Sequence, residues 1–152
     1  MIFDYESYDR LAPDAAGKTL IQRPEIPVIL MGATRAVSCI GLVDTGADES
    51  IFPRSLAEYL GIPLIVEGGP PAHGFGGQEL QMFSGKVHLG LQCGSEVYYW
   101  PTRVHFFDFP RPEDETVVLG HAGFLDYFTA TFDGQQKTLQ LVANDLLPVS
   151  KD

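Results

Sequence analysis

The chain is poor in the residues that would place it among metal-binding or disulfide-rich proteins. Its two cysteines, Cys39 and Cys93, have no spacing typical of a metal site. Cys39 precedes an apolar strand end, which indicates a small buried residue, and a disulfide is not expected in a reducing compartment. The four histidines are too scattered to indicate a metal ion by spacing: His73, His88, His105 and His121. We therefore predict no metal and no other cofactor.

Basic residues are also scarce. The chain has 10 Lys and Arg against 20 Asp and Glu, which gives a formal net charge of −10. Contacts to phosphate need clustered Lys and Arg, so we predict that neither nucleic acid nor an anionic membrane is a partner. The negative charge is compatible with neutral or basic polypeptide substrates, and it can equally serve solubility alone.

Long apolar runs are absent as well. No stretch approaches the ~20 apolar residues that span a bilayer, so no membrane partner is expected. The start of the chain, Met1–Glu6, is acidic and lacks the basic and apolar zones of a secretory signal. These observations predict a cytoplasmic protein, with a cleaved or fused precursor form left open. With 45% apolar and 20% charged residues, the chain suits one folded domain over residues 1–152.

Short runs of β-branched and aromatic residues, separated by turn residues, predict a mainly β protein. Strands are expected at 27–31, 36–43, 97–107, 129–132 and 137–142, and residues 72–91 are expected to form a hairpin and its return strand. Asp133-Gly134 is a favoured hairpin turn.

One short helix is expected at Pro53–Leu60, because proline suits its first turn and Gly61 can close it. The spacing predicts one buried face formed by Leu56, Tyr59 and Leu60.

The segment Leu42–Ser50 contains the most specific pattern of the chain. Two apolar residues end a predicted strand and lead into Asp44-Thr45-Gly46, with Ala47 and Asp48 next and a hydroxyl residue at position 50. Gly46 permits a tight turn, and the Thr45 hydroxyl can hydrogen-bond across a two-fold axis. Ala47 is small enough for a substrate backbone to lie alongside. For the bare tripeptide, a strand that ends in an Asx turn is the alternative interpretation.

Further motifs follow in a fixed order. The segment Gly74–Gly77 is glycine-rich, Val117–Gly120 is an apolar run that ends in glycine, and Gly123–Phe128 is a short aromatic segment. With Gln22-Arg23-Pro24 and the Asp44 segment, they cover residues 22–142. Together they resemble the retropepsin-like, or retroviral-type, aspartic proteases, in a single-domain form of bacterial type.

This resemblance implies a retropepsin-like acid-protease fold, which is a small closed barrel-like β-sandwich with two short helices and a β-hairpin flap. The core would span 22–142, with extensions at both ends. Because the chain has the motif once, a homodimer must supply two Asp44 carboxylates that share one proton and activate water to cleave a polypeptide. The implied catalytic set is Asp44, Thr45 and Gly46. The implied substrate-binding set is Ala47, Asp48, Gly74, Phe75, Gly76 and Gly77. The implied structural support is Leu119, Gly120 and His121.

One position departs from the retroviral pattern. Retroviral proteases usually have an arginine after the late glycine, and it pairs with the aspartate that Asp48 matches here. This chain has His121 instead, and a His–Asp pair loses its attraction when the histidine deprotonates. The departure predicts a dimer whose stability depends on pH. The terminal segments also differ, so the dimer contact is the least transferable feature.

Several alternatives remain open at this stage. Gly74–Gly77 is either a flap tip or an ordinary hairpin turn, while a phosphate loop would need a helix where Gln78–Leu89 predicts a strand. The aromatic run Tyr98–Trp100 packs in the core or forms a binding surface, and His73 is a solvated loop residue or contacts substrate. In place of an endopeptidase, the chain could be a catalytically silent dimerisation or peptide-binding module. A protease that acts once on its own precursor would share every motif.

Overall fold

A computed structural model describes residues 1–68, 72–73 and 79–148, with backbone alone at 72–73 and 79–80. These residues form one α-helix, α1 (Arg54–Leu60), two 3₁₀ turns (Pro112–Asp114 and Leu125–Tyr127) and fourteen strands. The first seven strands are β1 (Ile2–Asp4), β2 (Glu6–Asp9), β3 (Leu20–Arg23), β4 (Glu25–Met31), β5 (Ala36–Val43), β6 (Ile51–Pro53) and β7 (Ile65–Val66). The others are β8 (Ala72–His73), β9 (Glu79–Leu80), β10 (Met82–Cys93), β11 (Glu96–Phe107), β12 (Val118–Leu119), β13 (Phe128–Asp133) and β14 (Thr138–Ala143).

Six strands close into a barrel in the order β11-β6-β12-β5-β4-β10, and β10 pairs again with β11 to complete the ring. Strands β6 and β12 each have one parallel and one antiparallel neighbour: β12 runs parallel to β5 and antiparallel to β6, and β6 runs parallel to β11. Each of these six strands is therefore paired on both sides over at least part of its length. The predicted fold class, mainly β with a closed barrel-like core, is confirmed.

The barrel strands follow the alternation that the sequence predicts. In β4, Ile26, Val28 and Leu30 are fully buried, whereas the residues between them are more exposed. Alternation with period two places one set of side chains inside the barrel. Strands β10 and β11 form a long antiparallel hairpin that turns at Gly94, whose φ of 60° favours glycine.

Helix α1 ends as predicted but buries a different face. Gly61 caps it with a φ of 64°, and its N–H bonds back to the carbonyl groups of Ala57 and Glu58. Ala57 and Leu60 are buried, whereas the side chain of Tyr59 is 57% exposed. The prediction for Tyr59 was therefore wrong, because Ala57 occupies the position that contacts the barrel.

The ends of the described chain form a separate three-stranded sheet, in which β14 lies between β1 and β13. The β13–β14 hairpin was predicted from Asp133-Gly134, and the structure contains it with a wider turn than two residues. The Asp133 side chain accepts hydrogen bonds from the N–H groups of Gln135 and Gln136, which stabilises this wider turn. The second predicted helix is a single 3₁₀ turn, Leu125–Tyr127.

The core between the barrel and the terminal sheet centres on Trp100, which is fully buried. Its ring lies 5.5–6.3 Å from the rings of Phe124, Tyr127 and Phe128. Its indole N–H donates to the Gly123 carbonyl at 3.0 Å, so the buried polar atom is satisfied. For Trp100 the core alternative is therefore the right one. In the described part of the chain, no helix has the length and apolar character to cross a membrane.

Candidate active site

The loop that carries Asp44 begins where β5 ends in the barrel wall. Val43 is buried, and its N–H donates to the Pro24 carbonyl at 2.9 Å. The next N–H, that of Asp44, donates to the Leu119 carbonyl at 3.1 Å. The backbone of Asp44 is therefore held from two sides by segments that are distant in the sequence.

Asp44 is half-buried, and the next residue, Thr45, is exposed. The Asp44 Oδ1 accepts the Gly46 N–H at 2.8 Å, and the Asp44 main-chain carbonyl accepts the Ala47 N–H at 3.2 Å. The hydrogen bond from the Gly46 N–H is that of an Asx turn. It is therefore compatible both with an aspartic-protease motif and with an ordinary strand end. A Cβ on Gly46 would lie 3.2 Å from Oδ1, which is tight for the turn.

Strand β12 distinguishes this loop from an ordinary strand end. It pairs in parallel with the end of β5, with Val118 opposite Leu42 and Leu119 opposite Val43. Leu119 is fully buried directly behind the loop. Gly120 follows, and a Cβ there would lie 2.3 Å from the Glu49 carbonyl oxygen and 2.6 Å from that of Ala47. Any side chain at position 120 would collide with the backbone of the loop, so glycine is required.

His121 lies where the sequence placed it but has other partners. Its N–H donates to the Ala47 carbonyl at 2.9 Å, and its Nε2 lies 3.0 Å from the Thr45 carbonyl oxygen. Its Nδ1 is 3.7 Å from a carboxylate oxygen of Asp126. The expected pairing with Asp48 is not formed within the chain. The ring instead bridges the active-site loop to the 3₁₀ turn that contains Asp126.

Asp48 is exposed on the loop surface, and its backbone is the part that is fixed. Its carbonyl accepts the Ala122 N–H at 2.9 Å. Ala47 is half-buried beside it. The structure therefore brings both predicted substrate-binding residues of this segment next to Asp44 in one loop.

Ser50 is the hydroxyl residue that ends the Leu42–Ser50 pattern, and the pattern alone predicts no role for it. It is fully buried, and its Oγ donates to the Ala122 carbonyl at 2.9 Å while accepting the Gly120 N–H at 3.2 Å. One hydroxyl thus joins the far end of the active-site loop to the segment after β12. The available signal was a hydroxyl residue that follows an apolar–Asp–Thr–Gly pattern and precedes a short strand.

The loop is also fixed to β11 through Glu49 and Ser50. The His105 N–H donates to the Ser50 carbonyl at 2.9 Å, and His105 Nδ1 lies 3.7 Å from a carboxylate oxygen of Glu49. The loop therefore contacts the Pro24 segment, the β12 segment and β11, whereas Thr45, Gly46 and Asp48 are exposed.

The flap prediction cannot be followed to its tip. Strands β8 and β9 pair antiparallel, with Ala72 opposite Leu80 and His73 opposite Glu79. Gly74, Phe75, Gly76 and Gly77 lie outside the described residues, as does the side chain of His73. Among the residues that are described, no group of three or more His, Cys, Asp or Glu side chains could hold a metal ion.

The chain matches no protein-family model and no curated protein. Among solved structures, it is similar to the EIAV protease complexed with the inhibitor HBY-793. The identity is 24% and the TM-score 0.46, over 65% of this chain and 82% of that chain. A likeness this distant assigns no role to any residue of this chain. The roles of individual residues therefore depend on the geometry of the Asp44 loop.

Proposed function

We propose that this chain is an aspartic endopeptidase that works as a homodimer. The observation that carries the proposal is the fixed presentation of one half-buried Asp44 carboxylate on a loop backed by β12. A rigid support is what a catalytic carboxylate requires, because its position must not change when water and substrate bind.

The chemistry would need two such carboxylates. Two Asp44 side chains, one from each subunit, would share a single proton because like charges held that close cannot both ionise. The ionised member would take a proton from water, and the protonated member would donate to the carbonyl oxygen of the peptide bond. Thr45 and Gly46 would hold the loop, and Ala47 and Asp48 would border the substrate.

Other parts of the proposal follow from the resemblance of the sequence to retropepsin-like aspartic proteases. The segment Gly74–Gly77 would close over an extended polypeptide and exclude water from the site. A single-domain architecture, the absence of a cofactor and a cytoplasmic location belong to this proposal as well. None of these features is needed to test the chemistry at Asp44.

The first test measures the solution mass by light scattering over a concentration series, followed by cleavage of an unstructured polypeptide between mildly acidic and neutral pH. We expect a dimer near twice 16.7 kDa and cleavage that pepstatin-like inhibitors block. Asp44→Asn should lower the cleavage rate by about 10²–10⁴-fold while the dimer persists. A demonstrated dimer that cleaves nothing would overturn the proposal.

The second candidate is a catalytically silent dimerisation or peptide-binding module, and one observation favours its peptide-binding form over any dimer of the retroviral type. Strand β1 pairs with β14 of its own chain, with Ile2 opposite Gln140. The terminal strands that retroviral proteases interleave between subunits are thus already paired within this chain. In such a module, Asp44→Asn would leave peptide binding and oligomeric state unchanged, and neither protein would cleave.

A further inference from the structure

A groove of about 700 Å³ opens beside the turn between β4 and β5, at the end of β5 away from Asp44. Its walls come from this turn, from the segment after α1 and from the middle of the β10–β11 hairpin. Along β5, the turn at Gly32 lies roughly 25 Å from Asp44. On the β11 wall, Arg103 is only two residues from His105, which contacts the Asp44 loop. The groove and the candidate active site share no lining residue, because none of the residues Asp44–Ser50 lines the groove.

The groove is already formed in the single chain. A Cβ on Gly32 would lie 2.4 Å from the Leu60 carbonyl oxygen, so the turn packs directly against the end of α1. Arg35 adds a second contact between this turn and the end of α1, because its guanidinium donates to the Tyr59 carbonyl at 3.3 Å. The floor is apolar, because most lining residues are apolar and Met31, Ala33, Pro63 and Pro101 have accessible surface there. A ligand would not need to reorganise these walls.

The charge of the groove is opposite to that of the chain. Lys86, His88 and Arg103 line it, and none of its lining residues is acidic, although the chain has twice as many acidic as basic residues. Lys86 and Arg103 are cross-strand partners on one face of the hairpin. Like charges directly opposite each other are destabilising, so a bound anion would relieve their repulsion.

These two cations keep hydrogen-bonding capacity for a ligand. Neither forms an ion pair with a carboxylate in the described part of the chain. Arg103 uses one Nη1 contact, to the Ser84 hydroxyl at 3.1 Å, and a guanidinium has five N–H donors. Both side chains are exposed at the groove.

We propose that this groove binds an acidic segment of a polypeptide in which apolar side chains lie between the carboxylates. The apolar floor accepts the apolar side chains, and the Lys86–Arg103 pair accepts carboxylates. A nucleic acid fits less well, because its binding depends on many phosphate contacts and Lys86, His88 and Arg103 are the basic residues that line the groove. The inference is independent of any chemistry at Asp44.

The probe is a fluorescein-labelled peptide of alternating glutamate and leucine, measured by fluorescence anisotropy with the full chain and with its Asp44→Asn form. We expect saturable binding with the same Kd in both proteins and weaker binding at higher salt. Lys86→Gln should raise the Kd about three- to five-fold, which is the effect of one exposed ion pair. Ala33→Trp, which fills the groove from an exposed turn position, should raise it about ten-fold or more.

Matched controls make the result decisive. Lys18→Gln removes the same charge outside the groove lining and should leave the Kd unchanged. A glutamine–leucine peptide should bind at least about ten-fold more weakly than the glutamate–leucine peptide. The proposal is overturned if the acidic peptide does not bind, or if Lys86→Gln and Ala33→Trp leave its Kd unchanged. It is equally overturned if the neutral peptide or a short single-stranded oligonucleotide binds the groove as tightly.

Discussion

The candidate active site and the groove lie at opposite ends of β5, and they differ in whether one chain supplies all the residues that each needs. At the end of β5, the Asp44 loop is fixed from behind by backbone groups of distant segments, and one chain supplies one carboxylate. Before the start of β5, the turn that begins at Gly32 packs against α1 and borders a groove whose floor and charges all come from one chain. In the proposed function, the first end needs a second subunit to become a catalytic site, whereas the ligand proposed for the second end needs residues of one chain alone.

This difference predicts which mutations should lower stability and which should change binding alone. The Asp44 loop is held by close backbone approach and by one buried hydroxyl, so small changes behind it should be costly. The groove is defined by exposed side chains, so changes there should alter binding and leave the fold intact.

The largest effect is expected at Gly120. Gly120→Ala would place a methyl group 2.3 Å from the Glu49 carbonyl oxygen, and neither backbone segment can move without breaking the pairing of β12 with β5. We expect the free energy of unfolding in urea to fall by about 3 kcal/mol or more. Gly134→Ala is the matched control, because a Cβ there meets nothing within 4 Å. Equal stability of the two variants would show that β12 does not support the loop.

The sequence was sufficient for features that depend on local pattern. Alternation predicted the bounds of β5, and Gly61 marked the end of α1. The segment behind Asp44 came from the family resemblance, because no local rule states which distant strand will cross a loop.

Features that depend on tertiary neighbours were missed. The exposure of Tyr59 and the hydrogen-bond partners of His121 depend on which distant residues pack against them. The Lys86–Arg103 pair depends on hairpin register, and a slip by one residue would send one of them to the opposite face.

An intermediate effect is expected at Ser50. Ser50→Ala removes the hydroxyl that accepts the Gly120 N–H and donates to the Ala122 carbonyl, and it leaves both groups without this partner in a buried place. We expect a loss of about 1–3 kcal/mol in the free energy of unfolding. If the proposed protease activity is present, the cleavage rate should fall as well, because the Asp44 loop loses one of its attachments.

Ser38→Ala supplies the control for this second prediction. Ser38 is an exposed residue of β5, and its replacement should change stability by no more than about 0.5 kcal/mol. A Ser50 variant as stable as the Ser38 variant would mean that the hydroxyl adds nothing to the connection between the loop and the segment after β12.

The smallest effect concerns Cys39, which lies within β5 between the two ends. Burial raises the pKa of its thiol from 9.0 to about 11, and its Sγ lies 3.7 Å from the Val28 carbonyl oxygen. The folded protein therefore keeps this proton where the unfolded chain loses it, so stability should be constant below pH 9 and decline as the pH rises from 9 towards 11. In a Cys93→Ser protein, thiol labelling with a disulfide reagent at pH 8 should be slow when folded and fast in urea. If Cys39 reacts equally fast in both states, β5 opens readily, and the strand cannot keep its two ends as independent, rigid sites.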